Sequence, residues 1–281
     1  MNGLIAHFDV LHTVAGLLVG LAVGLTGVGG GSLMTPLLVL MFGVNPQTAV
    51  GTDLLFACTT KVAGSAVHGW RETVDWKIVR RLASGSLPGA LVTLAILAKL
   101  GQVGKSTQHA IIIVLGTLLI LTAVAVALQK KLIAWASTRE AYPPRQVLVP
   151  TMLLGLLIGV AVSISSVGAG AIGVTALLLL YPDQPVARIV GTDIAHAVPL
   201  TLVAGFGHWI IGDVNGVLLL NLLVGSIPGV IVGSLLSSRA RDSLLRPILA
   251  IVLIISGSQL LLKAFAAPDK GKQAPAASVK A

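Results

Sequence analysis

The 281-residue sequence has little of what an ordinary soluble protein needs. Charged side chains make up 10% of it, against about a quarter in a typical soluble domain, so a water-facing globule is excluded. There is one cysteine, Cys58, which rules out an internal disulfide and any cysteine-based metal cluster. It lies in an apolar segment and reads as a small packed hydrophobe. Gly-x-x-x-x-Gly-Lys-Ser/Thr is missing, so transport powered by ATP on this chain is excluded. The alternating ten-residue segments of an outer-membrane barrel are missing too. The N-terminus lacks a basic n-region and a small-residue cleavage site, so no removable signal peptide is expected. No motif implies a cofactor.

What is abundant is apolar: 55% of the residues are hydrophobic. Runs near twenty residues recur at Ile78–Ala98, His109–Leu128, Val190–Ile211, Gly216–Ser238 and Ser243–Phe265. Each is about long enough to cross roughly 30 Å of hydrocarbon as a helix. Lipid leaves no partner for unpaired backbone groups, so the predicted fold is an all-α polytopic membrane bundle.

The net charge of +9 suggests nucleic acid until its location is read. Arg71, Lys77, Arg80 and Arg81 flank one turn; Lys130, Lys131, Arg139 and Arg145 fill the central loop; Arg239, Arg241 and Arg246 mark a third. Cytoplasmic loops collect Lys and Arg, so these three are placed inside. His208–Asn215 has no Lys or Arg and Gly101–Gln108 only Lys105, which fits the outer side. The tail, with Lys270, Lys272 and Lys280 on that outer side, is expected to be a disordered end.

The chain repeats itself. Gly16-Leu17-Leu18-Val19-Gly20 aligns with Gly155-Leu156-Leu157-Ile158-Gly159 at an offset of 139. From Gly51-Thr52-Asp53 and Gly191-Thr192-Asp193 onward the offset is 140. There His68 meets His208, Asp75 meets Asn215, and Gly85-Ser86-Leu87-Pro88-Gly89 meets Gly225-Ser226-Ile227-Pro228-Gly229. The expected division is a first repeat over 1–130, a cytoplasmic linker over 131–146, a second repeat over 147–265 and a tail over 266–281. Within the first repeat, Leu11–Leu25 and Leu33–Phe42 reach only about 22 and 15 Å as helices. A re-entrant hairpin followed by three transmembrane helices is the economical reading. Either that or five full spans inverts the second half, as in secondary transporters.

Two glycine-rich breaks, Gly27–Ser32 and Ser165–Gly170, precede the Gly-Thr-Asp triplets. Paired breaks in two halves point to a transporter's binding site. The helix N-termini they expose suit an anion, and Thr26, Ser32, Ser165 and Ser166 add hydroxyl donors; close packing through small residues is the bland account. Asp53 and Asp193 each begin a long helix, so they are helix caps or costly, functional intramembrane carboxylates. Thr52 and Thr192 are equally good caps and could donate to a substrate. Lys61 has Thr201 at its repeat position. Spaced at i, i+4 and i+7, Lys61, Ser65 and His68 share one helical face; snorkelling is the alternative for Lys61. His208, beside Trp209, reads as an interfacial anchor. His196, one turn after Asp193, is placed for proton transfer. Pro88 and Pro228 read as kinks or hinges. The histidines are scattered, without metal-ligand spacing.

The string Gly24-Leu25-Thr26-Gly27-Val28-Gly29-Gly30-Gly31-Ser32, then Pro36, then Ala49-Val50-Gly51-Thr52, resembles the TauE/SafE sulfite exporter family. The likeness covers about residues 10–265, with the pattern repeated in the second half. It implies a secondary transporter of the bacterial inner membrane for sulfite or organosulfonates. It also implies a pocket lined by Thr26, Gly29, Gly30, Gly31, Ser32, Gly51, Thr52, Ser165, Ser166, Gly168, Gly170, Gly191 and Thr192, to which the residue reading adds Lys61. Members often carry Ser after Gly-Thr, where this chain has Asp53 and Asp193. Two acids beside an anion must be protonated or offset by Lys61, so Asp53, Asp193, His196 and His68 become the candidates for proton or ion coupling. A cation or metal carrier using the two acids and a passive anion channel stay open as alternatives. An intramembrane aspartyl protease is disfavoured, since its Gly-x-Gly-Asp pattern is missing. The expected partners are a small anion and the bilayer, with a homo-oligomer open and no nucleic acid.

Overall fold

The computed structural model describes residues 9–26, 31–68, 74–100, 105–136, 138, 142–143, 145–236 and 242–266. These form ten helices: α1 (Val10–Thr26), α2 (Gly31–Leu40), α3 (Pro46–His68), α4 (Trp76–Leu100), α5 (Lys105–Ala136), α6 (Leu148–Ser165), α7 (Ala171–Leu180), α8 (Val186–Ile211), α9 (Gly216–Leu236) and α10 (Asp242–Ala266). Six of them, α4, α5, α6, α8, α9 and α10, are long and apolar enough to cross a membrane. Helix α3 is long enough but carries Asp53, Lys61, Gln47 and four threonines, which make it polar. One expectation is corrected here. The first helix of the second half is not a short segment, because its apolar register runs unbroken from Leu148 to Ser165 and reaches spanning length. Helix α5 likewise continues past Lys130 and Lys131 to Ala136.

A ten-residue helix stands second, after one of 17 or 18 residues and before three of more than 20, in α1–α5 and again in α6–α10. Polar residues set equivalent helix starts. Asp75 Oδ1 accepts from the Lys77 amide at 2.9 Å and opens α4, while Asn215 Oδ1 accepts from the Leu218 amide at 3.0 Å and opens α9. Each side chain satisfies an amide that has no partner within its own helix.

The halves are interleaved. Helix α1 makes its main contact with α9, and α6 makes its main contact with α4. Both contacts rest on glycine. A Cβ on Gly16 would strike the Leu222 carbonyl, on Gly20 the Ser226 carbonyl, on Gly155 the Leu82 carbonyl and on Gly159 the Ser86 carbonyl. From the other side, Gly225 and Gly229 lie against Thr13 and Leu17, and Gly85 and Gly89 against Met152 and Leu156. Small residues let backbones approach where lipid supplies no hydrophobic drive between helices.

The contact order fixes helix directions. Successive contacts advance together in α1 with α9 and in α4 with α6, so these pairs are parallel. Leu55 meets Gly205 while Cys58 Sγ faces the Val198 carbonyl at 3.8 Å, so α3 and α8 cross antiparallel. Gly116 meets Leu261 while Ile120 meets Gly257, so α5 and α10 are antiparallel as well.

The outside of the bundle is apolar: Leu91, Ile96, Leu157, Leu202, Phe206, Val224, Ile251 and Leu262 are all exposed. Its inside holds Asp53, Lys61, Asp193, His196, Ser86 and His208, all buried. That is the reverse of a soluble protein and fits a bilayer as solvent.

Candidate functional site

Helices α3 and α8 cross at Cys58 and Val198, which are equivalent positions at the offset of 140. Asp53 and Asp193 each precede their crossing residue by the same number of positions. Because the helices are antiparallel, the two acids lie on opposite sides of the crossing. Lys61 falls beyond Cys58, about 12 Å along α3 from Asp53, on the Asp193 side. Asp193 is accordingly its foremost charged neighbour, ahead of Asp53.

The two sides are furnished differently. Asp53 is fully buried and its Oδ2 accepts the Thr35 hydroxyl from α2. The Ser166 hydroxyl faces the same carboxylate, although neither Asp53 Oδ1 nor Ser166 Oγ closes a hydrogen bond among the described residues. On the other side, among the described residues Asp193 receives no side-chain hydroxyl and its Oδ1 has no partner. The carboxylate fits there because Gly173 leaves the room, and a Cβ at that position would strike Asp193 Oδ1. The Gly170 amide and Lys61 face it. No carboxylate lies within 4.0 Å of the Lys61 ammonium among the described residues. One turn on, His196 Nε2 is 2.7 Å from Ser86 Oγ of α4, and His196 Nδ1 has no partner among the described residues. The equivalent of His196 is Phe56, fully buried, and the equivalent of Ser86 is Ser226, whose hydroxyl lacks a partner among the described residues.

The second break requires its glycines. Gly168 and Gly170 have φ of 126° and 118°, which residues with a Cβ avoid. Ser166 ends α6 in the left-handed region at φ 59°, and Ser165 Oγ accepts the Val167 amide at 3.2 Å. Of the first break, Gly27 to Gly30 lie outside the described residues, as do the side chains of Thr26, Ser65 and His68; Gly31 opens α2 and Ser32 is buried on it. Gly51 backs onto the Asp213 carbonyl and His208 Cβ, and Gly191 lies on α8 beside Thr192.

The two Gly-Thr-Asp threonines join the halves. Thr52 Oγ1 accepts the Asn215 amide at 3.1 Å, and Thr192 Oγ1 accepts the Asp75 amide at 2.9 Å. Thr192 also donates to the Arg188 carbonyl at 2.7 Å, and Arg188 stands 3.8 Å from Asp75. At the other end, Asp213 Oδ2 takes the Gln47 amide at 2.7 Å and lies 3.2 Å from His208 Nδ1. His208 Nε2 reaches the Ser163 carbonyl at 2.9 Å. His208 is therefore buried, and the expected interfacial anchor is its exposed neighbour Trp209. A cavity of about 680 Å³ opens beside Trp209, Asn215 and Leu220, and no expected binding residue lines it.

The sequence reading passed over Thr35 and read Asp75 and Asn215 only as repeat equivalents. Ser86 was visible in the repeated Gly-Ser-aliphatic-Pro-Gly string, but as a shape element.

A helical bundle, apolar outside, with broken helices and unsatisfied buried polar groups inside, is a multi-pass membrane transporter. The chain belongs to the family described as Sulfite exporter TauE/SafE, which it matches over residues 12–260. It is 39% identical over 253 residues to a probable membrane transporter protein, YjnA, of Bacillus subtilis, covering 88% of this chain and 97% of that one. It is 26% identical to YunE of the same organism, also called a probable membrane transporter protein, over 90% of this chain and 97% of that one. The archaeal probable membrane transporter protein MJ0441 of Methanocaldococcus jannaschii is 26% identical over 73% of this chain and 74% of its own. No solved structure matches the chain. The cell membrane is the location typical of the family.

Proposed function

We propose that the chain is a secondary transporter of small sulfur-containing anions, sulfite or organosulfonates, working by alternating access with proton coupling. The observation that carries this reading is the Lys61 ammonium, buried near the α3–α8 crossing with no carboxylate within 4.0 Å among the described residues. A buried cation without a close counter-ion is costly and suits an anionic ligand. The family description supplies the sulfur chemistry.

Helix directions support two halves related by inversion, each a two-helix hairpin followed by three longer helices. If α6 and α7 formed one broken span, α3 would run parallel to α8, and α5 to α10; both pairs are antiparallel, and the parallel α1–α9 contact then requires α1 and α2 to form a hairpin too. With α1–α2 and α6–α7 as hairpins, every observed direction follows. The basic turn before α4 then lies inside and the loop before α9 outside. The threonine clamps to Asp75 and Asn215 thus fall on opposite faces, where breaking one while keeping the other opens one side.

The test is counterflow in proteoliposomes with sulfite, thiosulfate, organosulfonates and carboxylates, and divalent metal as the competing cargo. Saturable exchange of a sulfur anion that rises as external pH falls is expected. Metal flux without anion exchange would sink the reading in favour of a cation carrier.

A further inference from the structure

The repeat invites the view that Asp53 and Asp193 are two equal coupling groups. We propose instead that the site is one-sided: the substrate's anionic group binds between Lys61 and the His196 imidazole, displacing Asp193, while Asp53 serves as a structural tie. This rests on the anion-transport reading above and says which side of the crossing performs it.

Buried polar groups in native structures are nearly always satisfied, so an unsatisfied one calls for a reason. Asp53 has a partner on one oxygen: Oδ2 receives the Thr35 hydroxyl and fastens the short helix α2 to α3, while Oδ1 and the facing Ser166 hydroxyl stay open among the described residues, with no cation beside them. On the Asp193 side three groups are left open together. Asp193 Oδ1 and His196 Nδ1 have no partner among the described residues, and Lys61 has no carboxylate within 4.0 Å among them. All three residues are more than nine-tenths buried. His196 Nε2 lies 2.7 Å from Ser86 Oγ, so the hydroxyl can donate to it, and the tautomer that accepts this bond carries its ring proton on Nδ1 as a free N–H donor. An ammonium and an N–H donor flanking a carboxylate with an open oxygen make a place where one anion can be exchanged for another.

The charge count completes the argument. In the empty site Lys61 and Asp193 offset each other. An entering monoanion adds one negative charge, and a proton taken from the aqueous side by the Asp193 carboxylate restores neutrality as the anion takes over Lys61. The other charged or titratable groups on the elements packed against α8 are few. Helix α3 has Asp53, Cys58 and His68. Helix α4 has Arg81, which donates to the Tyr181 hydroxyl, and the exposed Lys77, Arg80 and Lys99. Helices α6 and α7 have no charged residue, and α8 itself adds Arg188 and His208 toward its ends.

The experiment compares the full-length wild type, Asp193→Asn, Asp53→Asn, Lys61→Thr and Lys61→Arg. It reads calorimetric binding of sulfite in two buffers of different ionisation enthalpy, and thermal unfolding in detergent. Lys61→Thr installs the residue that already stands at the equivalent position 201. Expected for wild type is sulfite binding with net proton uptake. Asp193→Asn binds without proton uptake and loses its pH dependence. Asp53→Asn keeps proton uptake but unfolds at lower temperature. Lys61→Thr weakens sulfite on the order of thirtyfold, and Lys61→Arg restores most of it. Equal loss of proton uptake in both aspartate variants, or loss in Asp53→Asn alone, overturns the one-sided site while leaving anion transport standing. A folded wild type that binds none of the sulfur anions overturns the transport reading and this inference with it.

Discussion

The first and second halves of the chain repeat the same helices in the same order and meet at two kinds of place: the glycine contacts, where they match, and the α3–α8 crossing, where they differ. At the glycine contacts equivalent residues do equivalent work: Gly16 and Gly155 press on Leu222 and Leu82, and Gly20 and Gly159 on Ser226 and Ser86. Around the α3–α8 crossing the equivalence stops. Lys61 answers to Thr201, His196 to Phe56, and Met34-Thr35 on α2 to Gly173-Val174 on α7. Main-chain contact cannot drift without breaking the bundle, whereas side chains around the central crossing can change singly. The difference separates what holds the halves together from what the interior has been free to specialise in.

The glycine contacts give the largest expected effect. Gly20→Leu and Gly159→Leu each drive a side chain into the facing main chain, at a cost of about 3 kcal/mol or more. Both should abolish the monodisperse peak in detergent size exclusion. Tolerance of either one would break the claim that the two contacts are equivalent. Smaller losses are expected from Thr52→Val and Thr192→Val, which leave the Asn215 or Asp75 amide without its acceptor. Each should lower stability by about 1–3 kcal/mol and speed hydrogen exchange at that amide. Ser86→Ala and Ser226→Ala sharpen the comparison. Removing the Ser86 hydroxyl deprives His196 Nε2 of its partner and should cost about 1 kcal/mol, while the Ser226 hydroxyl, without a partner among the described residues, should be lost with almost no effect; thermal unfolding separates them. Least of all, Arg188→Ala should stay within about 0.5 kcal/mol, because the Arg188–Asp75 pair is half exposed and 3.8 Å apart.

Much of the architecture was legible before any coordinates. Period and length mark the helices, and the glycine strings that reveal the repeat are the ones that let helix backbones touch. The membrane reading also follows from composition, since apolar runs of spanning length have few other uses. Other features were not legible because they depend on how helices cross. Nothing in the spacing of His196 and Ser86, 110 residues apart, says that they bond. His208 reads as an interfacial anchor beside Trp209, but the turn of α8 sends it inward to Asp213 and Ser163. Thr52 and Thr192 read equally as caps and as ligands from position alone. Their actual contacts lie with loops of the opposite half, which a local pattern cannot express. Lys61 could be seen to lack a repeat partner, but its nearness to Asp193 rather than Asp53 follows from the antiparallel crossing.

The interleaving of α1 with α9 has a consequence for how the protein is made. Gly16 leaves the ribosome roughly 200 residues before Leu222, the residue it presses against. At about 5–20 residues per second, α1 waits some 10–40 s for the helix that completes it. During that interval its glycine-lined face has only lipid or the translocation machinery beside it. The first half therefore has no native form of its own, since its opening helix docks on a surface supplied by the second. Expressed alone it should be cleared as an orphan, and the two halves supplied as separate chains should recover each other only when made together.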